Sequence, residues 1–303
     1  MSESRGDVLA QVSNLVMRFD VGGGLGAALM GGKRSLRAVD DVTLDIRAGE
    51  VLGLVGESGS GKTTLGKTLL RLYEPSDGSI VFKGTDITRL GGSRLKDLRR
   101  DLQMIFQDPA SSLNPRQTVR TAIATPMLIH AMHPADRIDV EVDRILTKVG
   151  LSAAFRDRYP HELSGGQLQR VAIGRALSLS PALVVADEAV SKLDVSVRSQ
   201  ILNLFKDLQA ELGTTIVFIT HDLRVARYLC HRIGVMYFGK LVELADTETL
   251  FKTPRHPYTQ ALLGTLEPTA ENATADDEPE EAGEAYNPSA GTPGCRYHAR
   301  CPF

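Results

Sequence analysis

Gly56-Glu57-Ser58-Gly59-Ser60-Gly61-Lys62-Thr63 fits, position by position, a loop that wraps phosphate groups. An apolar run of strand length, Val51 to Val55, precedes it, and Thr64 to Leu72 reads as the helix that follows. The glycines let successive backbone N–H groups curl around α- and β-phosphates, and the helix adds its positive end. Lys62 has the reach for β- and γ-phosphates, and the Thr63 hydroxyl suits Mg²⁺. The expected ligand is a purine nucleoside triphosphate with Mg²⁺.

At 303 residues there is room for one large domain and an appendage. A formal net charge of -2 exerts no general pull on nucleic acid or anionic membrane. No run approaches the roughly 20 apolar residues of a membrane span, and Met1 to Asp7 lacks the pattern of a secretory signal. Three cysteines without a compact framework predict a reducing compartment. The expectation is a cytosolic chain that reaches a membrane only through partners.

Val8 to Phe19 and Ala38 to Ile46 alternate apolar and polar residues, which predicts two strands of an antiparallel layer. A glycine-rich connection, Val21 to Lys33, joins them. Ser79 to Lys83 adds a strand that would close this layer around the strand before the phosphate loop. Leu102 to Phe106, Ala182 to Ala186 and Thr215 to Ile219 are short apolar strands separated by helix-length segments, as in a sheet covered by helices on both sides. Between Thr118 and Ser178 strand signals nearly vanish. Thr121 to Met132, Ile138 to Val149 and Gln167 to Leu179 read as helices, the first kinked or delayed by Pro126. The fold class expected is therefore α/β: a core sheet flanked by helices, an antiparallel β subdomain, and a helical insertion over about 112–178. The main domain spans 1–250, a short packing segment with a helix at Tyr258 to Leu263 spans 251–270, and 271–303 holds an acidic linker and a cysteine-containing tail.

Five further stretches match what triphosphate hydrolysis requires. In Leu183-Val-Val-Ala-Asp187-Glu188 a buried strand carries two carboxylates to its exposed end. Successive side chains diverge, so Asp187 can serve Mg²⁺ while Glu188 faces the γ-phosphate and accepts a proton from, or positions, the attacking water. In Leu163-Ser164-Gly165-Gly166-Gln167, Ser164 can cap the next helix while the glycines leave N–H groups open to an anion. A second anion-ready helix start suggests two chains head to tail, each capping the other's nucleotide. Gln107, at a strand end, could touch Mg²⁺ or the water. His221, after Thr215 to Thr220, could bond a γ-phosphate oxygen, and Asp194 could shape the contact between subunits.

Together these motifs resemble the nucleotide-binding subunit of ATP-binding-cassette transporters, over about Val8 to Asp246. The resemblance implies an ATP sandwich in which Gly56 to Thr64 of one subunit works with Ser164 to Gln167 of a second cassette subunit. It implies that Gln107 lies at a hinge to the helical subdomain, that Phe19 stacks on adenine, and that two transmembrane permease subunits are partners. It implies further that an extracytoplasmic solute-binding protein acts indirectly, that nucleic acid is no partner, and that the place of action is the cytoplasmic face of the membrane. One departure is Lys192, where the family carries a small residue; altered subunit contacts are expected.

Ile105-Phe-Gln107-Asp-Pro109 with Ser111-Ser-Leu-Asn-Pro115, and His256-Pro-Tyr258-Thr259, resemble the oligopeptide, dipeptide and nickel importers of that family. Peptide import is the expected job; nickel or another small solute, a soluble ATPase without a transport role, and a non-hydrolysing scaffold are the alternatives. Gly294-Cys295 to Cys301-Pro302 resembles the start of a segment that helps hold an iron–sulfur cluster in some members. Four thiolates are needed and the tail offers two. Inert cysteines and a cluster completed from elsewhere both stay open, while Cys230 reads as a buried small hydrophobe.

Overall fold

The computed structural model describes residues 6–21, 34–265 and 294–303. In chain order the elements begin with β1 (Val8–Val21), β2 (Arg34–Arg47), β3 (Val51–Val55), α1 (Lys62–Leu69), β4 (Asp77–Phe82) and β5 (Thr85–Asp86). Next come α2 (Gly92–Asp101), β6 (Leu102–Ile105), α3 (Pro109–Ser112), α4 (Val119–Ile129), α5 (Ile138–Lys148) and α6 (Gly165–Leu177). Then follow β7 (Leu183–Asp187), α7 (Val195–Leu212), β8 (Thr215–Ile219), α8 (Leu223–Leu229), β9 (Arg232–Tyr237), β10 (Lys240–Asp246), α9 (Thr247–Lys252) and α10 (Pro257–Gly264). This is the α/β class that the sequence predicts. The described residues form two compact units.

One unit contains Arg47–Val51 and Leu90–Thr220. Its strands β6, β7 and β8 run parallel, with Ile105 beside Ala186 and Ala186 beside Phe218. β7 and β8 are buried at every residue, because helices cover a parallel strand on both faces. The sheet is tied at its base, where Ile216 N donates to Glu50 O at 2.9 Å and the Gln209 amide to Gly49 O at 2.5 Å. Among the described residues no strand interrupts 118–178, and α4, α5 and α6 pack on one another there. Thr118 caps α4, which starts earlier than the pattern predicts and runs on through Pro126.

The other unit contains Val8–Ile46, Leu52–Arg89 and His221–Phe303. A four-stranded sheet of order β2-β1-β4-β5 matches the predicted first layer, with β1 antiparallel to β4. The strand before the phosphate loop does not join it. β3 instead pairs in parallel with β9, Leu54 beside Gly234, and β9 pairs antiparallel with β10. Neither β9 nor β10 is among the strands expected from sequence. Their apolar residues follow α8 almost without a break; β9 is held by β3, about 180 positions earlier, and β10 by β9. The helix expected at Tyr258 to Leu263 is α10, while the acidic stretch Glu271 to Glu284 lies outside the described residues.

Candidate functional site

The phosphate-loop motif occupies the turn from β3 into α1, which starts at Lys62 rather than at Thr64. Thr63 and Thr64 therefore sit in the first helical turn. Gly56 and Gly61 are fixed by crowding: a Cβ would lie 2.2 Å from Met236 O and from Ala38 O respectively, and both have positive φ. Ser60 O accepts from Gly239 N at 2.8 Å, so the β9–β10 turn supports the loop. Lys62 is buried, and its Nζ donates to Gly56 O and Glu57 O, both at 2.7 Å, and to Ser60 Oγ at 3.1 Å. Those contacts hold the ammonium inside the loop between β3 and α1. Ser58 and Gly59 belong to the same exposed curve, and a Cβ on Gly59 would meet nothing within 4 Å. Phe19 is half-buried on β1, with its ring edge-on to Tyr73 at 5.5 Å. His221 is exposed just past β8.

In the unit that holds β6 to β8, the two strand-end motifs meet. Gln107 Nε2 donates to Glu188 Oε2 at 2.6 Å. Asp187, the last residue of β7, is only 5% exposed, so that end of the strand is more enclosed than the sequence suggests; Glu188 is half-buried. Glu188 has φ 45°, a left-handed backbone that costs a non-glycine residue free energy and often marks a working position. Its N donates to Ile219 O at 3.0 Å, and its O accepts from Ser191 N at 3.1 Å.

Ser164 caps α6 as expected. Ser164 Oγ accepts from Gln167 N at 3.4 Å, and the Gln167 side chain accepts from Ser164 N at 3.0 Å, which closes a capping box. Gly166 has no room for a side chain, since a Cβ would lie 2.5 Å from Val197 Cγ1. Gly165 is roomier, with Leu193 Cδ2 at 3.8 Å. Asp194 caps α7: the Val197 amide and the Ser196 hydroxyl hold its carboxyl below the usual carboxylate range. Lys192 faces Asp108 at 3.4 Å, an exposed ion pair between the segments that follow Glu188 and Gln107.

These motifs now carry an identification. Residues 39–191 match the ABC transporter family, and residues 242–303 match the oligopeptide/dipeptide transporter C-terminal region. The chain belongs to the ABC transporter family. It is 43% identical over 304 residues to the oligopeptide transport ATP-binding protein AppF of Bacillus subtilis (strain 168), covering 100% of this chain and 92% of that protein. It is 48% identical over 261 residues to the glutathione import ATP-binding protein GsiA of Salmonella typhi, covering 86% of this chain and 41% of that longer protein. A dimeric ATP-binding cassette in a post-hydrolysis state, bound to ADP and Pi, superposes with a TM-score of 0.69 at 28% identity, over 78% of this chain and 98% of that one. The chain is thus an ABC ATPase, and no helix among the described residues is long and apolar enough to cross a membrane.

Among the described residues no three or more His, Cys, Asp or Glu side chains gather for a metal ion. Cys295 is exposed and Cys301 half-buried, while Cys230 is buried against Gly53 and burial pushes its thiol well up. One residue has a contact that the sequence does not predict. Tyr258, singled out only as part of a family signature, accepts a hydrogen bond from the phosphate loop at Glu57 N.

Proposed function

We propose that this ABC ATPase is the motor of a membrane importer for oligopeptides or dipeptides, at the cytoplasmic face of the membrane. The 2.6 Å contact between Gln107 and Glu188 carries the catalytic part of that reading, because it joins an amide and a carboxylate suited to hold one water molecule. Glu188 acts as base or water-positioning group, Gln107 orients it, and His221 bonds a γ-phosphate oxygen. Lys62 neutralises the β/γ-phosphates, while N–H groups of the Gly56 to Thr64 loop other than those of Glu57 and Ser60, which are bonded within the protein, cradle them. Phe19 is the candidate surface for adenine.

The Thr63 hydroxyl, the Gln107 carbonyl and the Asp187 carboxylate would hold Mg²⁺, since all are the hard oxygen donors that this ion prefers. When bound, Mg²⁺ neutralises charge on the phosphate oxygens. Ser164, Gly165, Gly166 and Gln167 meet the nucleotide of a second cassette subunit, with Asp194 near that contact. Two permease subunits carry the solute, and a solute-binding protein delivers it.

The peptide assignment draws on the C-terminal match and on relatives named for oligopeptide and glutathione transport. The deciding experiment reconstitutes the protein with its permeases, cassette partner and solute-binding protein in vesicles and measures ATP-dependent uptake. Peptide uptake that requires intact Glu188 is expected. Uptake of nickel but not peptide would overturn the cargo, and ATP turnover indifferent to the permeases would overturn the transport role.

A further inference from the structure

Tyr258 reaches the phosphate loop from far along the chain. Its hydroxyl accepts a 3.0 Å hydrogen bond from Glu57 N, 201 positions earlier. The ring is buried, and burial raises the phenol above its ordinary range. An aromatic cluster fixes it in place. Tyr237 lies 4.5 Å and Tyr297 5.5 Å away, centroid to centroid, and Tyr297 also meets Tyr237 edge-on at 5.3 Å. His256 Nδ1 accepts from Tyr258 N at 3.1 Å, which sets the start of α10.

Tyr297 belongs to the last described stretch of the chain, and its neighbour Arg296 makes a second grip. The Arg296 guanidinium donates to Phe238 O and to the Asp40 carboxylate. Phe238 leads into Gly239, whose N–H supports Ser60 O and whose O accepts from Asp40 N at 2.9 Å. The two ends of the loop, Glu57 and Ser60, are thus each tied to elements that residues 296 and 297 hold.

We propose that Tyr258, clamped by Arg296 and Tyr297, is a positioning residue for the phosphate-binding loop, so that the C-terminal segment sets how ready the loop is for nucleotide. The proposal rests on reading Gly56 to Thr63 as that loop. A stretch with glycines at three of its first six positions is intrinsically loose, and ordering it on binding costs conformational entropy. Fixing Glu57 and Ser60 beforehand removes part of that cost, which strengthens nucleotide binding without touching the bond that breaks.

The test compares the full chain with its Tyr258→Phe and Tyr297→Leu variants. Hydrogen exchange without nucleotide should show the Glu57 amide exchanging about tenfold faster in both, the scale of one lost net hydrogen bond. Amides of α7 should be unchanged, which separates local release from general destabilisation. In ATP turnover, KM should rise about 3- to 10-fold with kcat within about twofold, the pattern of lost ground-state binding. Unchanged Glu57 exchange in Tyr258→Phe would overturn the clamp, and a change in that variant alone would remove the tail from it. A fall in kcat at constant KM would overturn the positioning role. If the parent chain hydrolyses no ATP, the motor reading fails, while the exchange data still decide the clamp.

Discussion

Gln107 and Glu188 each stand two residues beyond a pair of facing strand positions, Ile105 beside Ala186, and their side chains meet at 2.6 Å. The register of β6 against β7 therefore sets this contact. A slip of one residue would reverse the faces of every side chain on one strand. Both strands are short and buried, so register and chemistry are locked together.

Glu188→Gln should leave ATP binding intact and slow turnover by about 10²-fold or more, because the amide cannot take a proton from water. Steady-state turnover beside an equilibrium measurement of ATP affinity checks this. Near-parental turnover would remove Glu188 from the chemistry.

Lys62→Ala should weaken ATP binding by about tenfold or more, since the β/γ-phosphates lose their nearest cation. It should also lower stability without nucleotide by about 1–3 kcal/mol, because Gly56 O loses its buried donor and Glu57 O is left with Ser60 N at 3.2 Å. Denaturant unfolding of the nucleotide-free chain reads the second effect separately from the first. Equal ATP affinities in parent and variant would refute the phosphate role.

The helix start at Ser164 offers a clean test of the two-subunit site. Gly166 is unsuitable, since any side chain there strikes Val197 within the same chain. Ser164→Asp keeps an N-cap acceptor but adds a negative charge, whereas Ser164→Ala removes the cap at about 1 kcal/mol. In a Glu188→Gln background, Mg-ATP should raise the mass in solution with the cassette partner present, and Ser164→Asp should prevent that rise by repelling phosphate. ATP-dependent association that survives Ser164→Asp would contradict the arrangement.

Thiol chemistry should follow burial. Cys295 should react with a soluble alkylating reagent fastest, Cys301 more slowly, and Cys230 only after unfolding, because the thiolate is the reactive form and burial suppresses it. Timed labelling with mass spectrometry checks the order. Rapid native labelling of Cys230 would show that its surroundings open.

The phosphate-loop motif, the strand ends at Gln107 and Asp187, and the cap at Ser164 are legible in the sequence because each is local. A turn, a strand terminus and a helix start are written in a few adjacent residues, with glycine, serine and carboxylates at set offsets. Tertiary structure alone decided the partners. It drew β3 away from the antiparallel layer to β9, placed Lys192 against Asp108, and brought Tyr258 to Glu57. Those choices depend on pairing and packing between segments up to about two hundred positions apart, where the gain comes from shared burial and backbone hydrogen bonds. No local pattern encodes which of several apolar runs will meet.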